Sequence, residues 1–129
     1  MTRRLTILLV ALLHTVLAGC MSHETYVEKR RQGLLEIYPT ETTTRADVAK
    51  RWEPTKPEFS YTRPSAGWAA LDVSFVGQQV QAVETRIGRS VAVVERYFGV
   101  DGLFGLCRCW FYFDSSDRLV DVDWQYVSD

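Results

Sequence analysis

The sequence has 129 residues, with 15 basic and 16 acidic side chains and a formal net charge of −1. This near balance excludes the strongly basic character of nucleic-acid-binding domains, so we expect no nucleic-acid partner. Hydrophobic residues make up 47% of the chain and aromatic residues 12%, which is enough to build the core of a single domain.

The first twenty residues have the order of a bacterial export signal. Arg3 and Arg4 precede an apolar run over residues 5–13, and Leu-Ala-Gly-Cys follows at 17–20. A positive head, a short apolar run and small residues before a cleavage point are typical of a secretory signal peptide, and the run is too short to span a membrane. The last four residues resemble the lipobox of bacterial lipoproteins. An ordinary signal peptide that ends near a cysteine is the alternative.

The lipobox resemblance implies that residues 1–19 are removed as a signal peptide and that Cys20 carries the lipid anchor. Two or three acyl chains hold a protein firmly at a membrane, whereas one chain holds it only marginally. Met21 occupies the place where an aspartate retains some lipoproteins in the inner membrane, so the same resemblance favours the outer membrane, facing the periplasm. Inner-membrane retention is the alternative. Residues 20–37 are largely polar without a strong period, and we interpret them as a polar tether.

A short helix is predicted over residues 45–52. Thr44 and, three residues later, Asp47 form a start that resembles a capping box, and Pro54 and Pro57 prevent the helix from continuing. Apolar residues at spacings of two to four give this helix a predicted buried stripe, formed by Ala46, Val48, Ala49 and Trp52.

The middle of the chain predicts a strand, a helix and a second strand. Residues 59–62 alternate apolar and polar side chains, which indicates a short strand that ends at Pro64. Irregular structure is expected over 65–76, with core anchors at Trp68, Leu71 and Phe75. The next helix is predicted over 76–87, because apolar residues recur at intervals of three and four, and Gly88 is its expected cap. The β-branched and aromatic residues at 90–98 favour a strand.

The C-terminal third predicts an antiparallel meander. A turn at 99–102 precedes strands at 106–113 and 119–127, which are joined by a polar loop at 114–118. Alternation in the last strand places one set of residues on a buried face, namely Val120, Val122, Trp124 and Tyr126. The opposite face, with Asp121, Asp123 and Gln125, is expected to meet water. We therefore predict a small two-layer α+β domain at 38–129, with an antiparallel sheet of three to four strands and two short helices packed on one face.

Two segments resemble the BamE (SmpA/OmlA) family of small outer-membrane lipoproteins. The family's helix motif is echoed by Thr44, Val48, Trp52 and Pro54, and its later strand and turn are echoed by Tyr112, Phe113, Asp117, Arg118 and Leu119. The chain departs from the family pattern at Thr42, Glu53 and Arg118. The resemblance implies a helix-on-sheet domain that binds another envelope protein during outer-membrane protein assembly.

Cys107 and Cys109 lie two residues apart on a predicted strand, so their side chains share one face. Three alternatives are open: buried thiols that pack beside aromatic residues, a disulfide formed with local distortion, or a redox or metal role. Zinc needs about four ligands, and the chain offers no further ligand motif, so we expect no metal site and no cofactor. The four aspartates of the last third, Asp114, Asp117, Asp121 and Asp123, lack the glycine and glutamate of a calcium loop and are interpreted as solvated.

No arrangement of nucleophile, base and acid suggests catalysis, so we expect a protein that is not an enzyme. Trp110 and Tyr112 are expected to lie opposite the cysteine face, where exposed aromatic side chains would bind a partner; a second buried face is the alternative. The favoured function is a lipid-anchored scaffold or interaction module that binds another envelope protein. The alternative is a ligand-binding or enzyme-inhibitor module, similar to the β-lactamase inhibitor proteins.

Overall fold

A computed structural model describes residues 22–63, 75–100 and 105–127 of the chain. Three helices and four strands lie in these ranges: α1 (His23–Ile37), α2 (Arg45–Trp52), β1 (Phe59–Thr62), α3 (Phe75–Ile87), β2 (Val93–Val100), β3 (Leu106–Phe113) and β4 (Leu119–Tyr126). The predicted signal peptide, Cys20, Pro64, Trp68 and Leu71 lie outside the described residues. None of the three described helices has the length and apolar content that a membrane crossing requires.

The four strands form one antiparallel sheet in the order β1-β2-β3-β4. Val93 of β2 pairs with Phe113 of β3, and Cys109 of β3 pairs with Trp124 of β4. The connections at 101–105 and 114–118 are short, which suits antiparallel neighbours, whereas α3 lies between β1 and β2 in the chain. The α+β class and the antiparallel sheet are therefore confirmed.

Both faces of the sheet are buried, because helices cover each of them. α1 and α2 pack on the face that carries Cys109, Phe111 and Trp124. α3 packs on the other face, against Trp110 and Tyr112. The two predicted helices, α2 and α3, lie on opposite faces of the sheet, and α1, which was not predicted, shares the first face with α2. The prediction that one face meets water is therefore wrong. α3 supplies a third layer there.

α1 replaces the polar tether that the sequence predicted. The hydroxyl of Ser22 caps the helix by accepting from the amide of Thr25 at 3.2 Å. The helix packs on the sheet through four partly buried apolar residues, Tyr26, Val27, Leu34 and Leu35. Arg30 and Arg31 lie between these pairs and are themselves partly buried, because their aliphatic stems cover apolar surface while their charged ends find partners. Two arginines in the middle of the stripe therefore hide its helical period.

α2 and its cap are as predicted. The Thr44 hydroxyl accepts from the Asp47 amide at 3.2 Å, and the Asp47 carboxylate accepts from the Thr44 amide at 2.9 Å. The predicted stripe is only half correct, because Val48 is fully buried and Trp52 partly buried, whereas Ala46 and Ala49 are exposed. An eight-residue helix that touches the sheet along one line buries one residue per turn.

α3 ends as the sequence predicted. Gly88 has φ 70° and donates its amide to the carbonyl of Glu84 at 2.9 Å, so it closes the helix in the left-handed conformation that favours glycine. Phe75 lies in this helix and is 64% exposed, so its predicted role as a core anchor is wrong. The following strand, β2, begins at Val93 and continues to Val100, into the segment that was predicted as a turn.

A register shift changes which residues of β4 share a face. Phe113 pairs with Leu119, but Tyr112 pairs with Asp121, so Val120 is an extra residue in the strand. Val120 consequently packs in the α3 cluster, while Leu119, Val122 and Trp124 pack below α1. The predicted grouping of Val120 with the other apolar residues of this strand is wrong for this reason.

Candidate functional site

A groove of about 840 Å³ runs between α1 and the sheet. Such a volume lies within the range of about 300–1,000 Å³ that is typical of ligand-binding clefts. Its walls come from α1, the end of α2 and the three strands β2, β3 and β4. The lining residues are Tyr26, Lys29, Arg30, Gln32, Gly33, Leu34, Glu36, Ile37, Trp52, Val100, Cys107, Cys109 and Trp124.

Two glycines shape this groove. A Cβ at Gly33 on α1 would meet nothing within 4 Å, so this position leaves open space along the helix. Gly99 on β2 does the opposite, because a Cβ there would lie 2.9 Å from the ring of Trp52. The Trp52 ring therefore settles on the sheet and stacks on Tyr97 with 5.0 Å between ring centroids. Gly33 therefore leaves the groove open, and Gly99 allows the Trp52 ring to pack against the sheet as one wall of the groove.

The indole nitrogen of Trp52 provides a donor within an apolar wall. Nε1 is buried and reaches no acceptor in hydrogen-bond geometry among the described residues. The Tyr38 phenol lies nearby. Burial raises its pKa, whereas the charge of Arg51 and a weak interaction with the Trp52 indole lower it. Because that interaction does not reach hydrogen-bond geometry, a bound acceptor group would recover free energy that the buried N–H leaves unused.

Cys107 and Cys109 form part of the floor of the groove. They are 4% and 3% exposed, and both carry thiols rather than a shared disulfide. They pack in the same cluster as Phe111 and Trp124. Of the three alternatives drawn from the sequence, the structure shows the buried thiols.

Trp110 and Tyr112 do not form an exposed binding surface. Both are fully buried below α3. The indole of Trp110 donates to the Gln125 side chain at 3.3 Å, and the hydroxyl of Tyr112 donates to Asp123 at 2.9 Å. Burial, and then the charge of Asp123, raise the pKa of Tyr112 well above its ordinary value. The predicted exposure is wrong because α3 covers this face, and the groove lies on the cysteine face instead.

Asp121 joins the two helical layers. Its side chain is 4% exposed, and its carboxylate accepts from Arg31 of α1 at 2.5 Å and from two nitrogens of Arg86 of α3 at 2.6 and 2.8 Å. Arg31 also donates to the backbone carbonyl of Val122 at 3.0 Å. The prediction that Asp121 is solvated is wrong, since two guanidinium groups from opposite faces of the sheet meet on it at the β4 edge.

Asp114 has a local structural role in the loop between β3 and β4. Its carboxylate accepts from the amides of Ser116 at 2.9 Å and Arg118 at 3.1 Å. Burial favours the neutral form, but these two hydrogen bonds and the charge of Arg89 lower the pKa of Asp114. The carboxylate therefore holds the turn that brings β4 beside β3.

The sequence did not reveal the α1 wall of the groove, because residues 20–37 were interpreted as a tether. Two signals could have identified it: Ser22 three residues before Thr25 as a cap, and the recurrence of apolar pairs at 26–27 and 34–35. A scan of the sequence against protein-family models, and searches among curated proteins and solved structures, find no match for this chain.

Proposed function

We propose that the protein is a lipid-anchored lipoprotein of the bacterial envelope that acts as a non-enzymatic interaction module. Cys20 carries the lipid, and the domain faces the periplasm from the outer membrane. The groove beside α1 binds an apolar segment of another envelope protein. The order of charged head, apolar run and lipobox in residues 1–20 supports the anchor.

The observation that carries the interaction role is the groove itself. Its walls combine two tryptophans and a tyrosine with an open helical glycine, and two of the five large hydrophobic side chains that the described residues leave exposed, Ile37 and Val100, lie along it. Aromatic anchors surrounded by aliphatic surface are typical of sites where one protein seats a side chain of another. Lys29 and Arg30 add positive charge to one side.

The resemblance to the BamE family favours outer-membrane protein assembly as the process in which the partner acts. That part of the proposal depends on the resemblance of Thr44, Val48, Trp52 and Pro54 to the family's helix motif and on the strand and turn at 112–119. Fold does not determine function, so the partner must be identified by experiment.

A ligand-binding or inhibitor module is the second candidate, and one observation favours it. Trp52 lines the groove, and its Nε1 is a buried donor that makes only a weak interaction with the Tyr38 phenol, outside hydrogen-bond geometry. An apolar pocket with a few polar groups is the usual arrangement of a small-molecule site. A carbonyl or carboxylate oxygen of a ligand would be the matching group.

The test is crosslinking through the groove. A photoreactive amino acid at position 37 should capture one envelope protein in intact cells, and Gly33→Leu should abolish the capture, because the new side chain fills the space along α1. Ala46→Leu is the matched control, since it adds the same side chain to an exposed position of α2. Capture of a soluble enzyme would favour the inhibitor alternative. Equal capture by the Gly33→Leu and Ala46→Leu variants would contradict the groove as the binding site.

The anchor is tested separately by mass spectrometry of the mature N-terminus. The expected first residue is Cys20 with its amine acylated and its sulfur carrying a diacylglyceryl group. A mature chain that begins elsewhere, or a Cys20 without lipid, would contradict the anchoring half of the proposal.

A further inference from the structure

Three apolar side chains are exposed at one end of the sheet. Val100 ends β2 and is 74% exposed, Leu106 begins β3 and is 37% exposed, and Tyr126 ends β4 and is 40% exposed. Val100 pairs with Leu106, and the amide of Val127 donates to the carbonyl of Leu106 at 3.0 Å, so the three strand ends are adjacent. We call Val100, Leu106 and Tyr126 the apolar end.

The first turn of α1 lies beside this apolar end. Tyr26 contacts Trp124 edge to face at 5.7 Å, and Trp124 lies 6.2 Å from Tyr126 by ring centroids. Further along α1, Arg31 reaches Asp121. The helix therefore runs antiparallel to β4, and its N-terminus points toward the apolar end.

The chain leaves little distance between this end and the predicted lipid. Cys20 precedes the helix cap Ser22 by two residues, which span at most about 7 Å when extended. Ser22 precedes Tyr26 by one turn, about 6 Å along the helix axis. A lipid on Cys20 would thus hold the N-terminus of α1, and with it the apolar end, against the bilayer surface.

We propose that the apolar end inserts into the phospholipid surface to which Cys20 is anchored, so that the domain stands on the membrane in one orientation. This inference rests on the proposed function, because the lipid on Cys20 selects this end. Aliphatic side chains enter the region below the headgroups, and a tyrosine suits the interface, where its ring is partly apolar and its hydroxyl is wet. Lys29 and Arg30 on α1 offer positive charge near the same surface, and Glu24 and Glu28 offset it. Insertion of apolar side chains therefore drives the contact.

The test uses residues 21–129, which contain every described element and lack Cys20. This chain should float weakly with vesicles of phosphatidylcholine and with vesicles that also contain phosphatidylglycerol. Val100→Asp should lower the partition coefficient about tenfold or more, because a tenfold change corresponds to about 1.4 kcal/mol and one buried aliphatic side chain contributes about that much. Val100→Trp should raise the partition coefficient. This gain of binding distinguishes insertion from a loss of binding that misfolding of the Val100→Asp variant would cause.

Ala46→Asp is the matched control. Ala46 is exposed on α2 and follows Arg45, whose amide donates to the carbonyl of Asp117 in the loop at the opposite end of β4. It should leave the partition coefficient unchanged. Absence of vesicle binding would overturn the inference, and so would equal losses for Val100→Asp and Ala46→Asp. Binding that requires phosphatidylglycerol, disappears in salt and ignores Val100→Asp would assign the contact to basic residues instead. The mass of the mature N-terminus tests the anchor independently, so the two failures are distinguishable.

Discussion

Asp121→Asn is expected to destabilise the domain strongly, although it changes only one atom type. The wild-type carboxylate receives three guanidinium hydrogen bonds, one from Arg31 and two from Arg86, and it also accepts from the Val122 amide at 2.9 Å. An asparagine keeps one oxygen and turns an N–H₂ group toward a guanidinium donor. At least one arginine then faces a donor instead of an acceptor, and the negative charge between the two cations is lost.

The magnitude follows from how buried each partner is. Removing one member of a buried ion pair costs about 3–5 kcal/mol. The side chain of Arg31 is 14% exposed, but that of Arg86 is 41% exposed and keeps a contact with Asp123 at 3.2 Å. Solvent and Asp123 therefore compensate Arg86 in part, which lowers the expected loss to about 2–3 kcal/mol. This loss is a large fraction of the total stability of about 5–15 kcal/mol that is ordinary for a domain.

The assay is urea unfolding followed by tryptophan fluorescence. Asp117→Asn is the matched control, because it removes the same charge from a residue that is 59% exposed, and asparagine tolerates the positive φ of 58° found there. The control should change the free energy of unfolding by less than about 0.5 kcal/mol. If both variants unfold at the same urea concentration with the same slope, Asp121 does not join the two helical layers as described.

Three further outcomes are expected. Gly99→Ala should lower the free energy of unfolding by about 1–3 kcal/mol, since the new Cβ would meet the Trp52 ring at 2.9 Å. Gly33→Ala should raise the free energy of unfolding by up to about 1 kcal/mol, because its Cβ enters open space and alanine favours the helix. Urea unfolding measures both, and a Gly99→Ala variant more stable than Gly33→Ala would contradict the description of the groove. A thiol reagent should label Cys107 and Cys109 only after denaturation and without reductant, and rapid native labelling would contradict their burial. Burial raises the folded-state pKa of Tyr112 above the ordinary 10.0, so the contribution of this residue to stability is complete below about pH 10 and is lost at higher pH. Tyrosinate absorbance of Tyr112 should therefore rise only when the protein unfolds at alkaline pH. A Tyr112→Phe variant with the same absorbance titration as the wild type would refute the raised pKa of Tyr112.

The capped helix and the terminal strands could be predicted because their signals are local. Thr44 and Asp47 satisfy each other within one turn, and Gly88 adopts a conformation that its own lack of Cβ permits. The end of β3 follows from an uninterrupted apolar run over 109–113 that the polar residues of 114–118 end. In each case, neighbouring residues along the chain decide the structure.

The sequence-based predictions were wrong where contacts between residues far apart in the chain determine the structure. Trp110 and Tyr112 were expected on an open face, yet a continuous apolar run is equally typical of a central strand that is buried on both sides. Only the packing of α3 distinguishes these cases. The extra residue at Val120 likewise depends on how β3 and β4 pair, which no property of Val120 alone specifies.

The candidate site could be predicted only in part. Cys107 and Cys109 were assigned correctly to one face of β3, and Trp124 to a buried face of β4, because alternation along a strand is a local property. The other wall of the groove required α1, whose stripe contains Arg30 and Arg31. A search for apolar residues at helical spacing treats arginine as polar. In the fold, however, the aliphatic stem of an arginine can be buried and cover apolar surface of the sheet.

The contact of Arg31 with β4 also bears on how the folded protein avoids self-association. β4 is an edge of the four-stranded sheet, and a strand edge is a template for pairing with another chain. Arg31 donates to the outward carbonyl of Val122, so a second chain could pair there only after displacing α1 and leaving Asp121 with fewer partners. Detachment of α1 would expose both this edge and the apolar floor beneath the helix. Aggregation of this protein should therefore begin from molecules in which α1 has come away while the sheet is still folded.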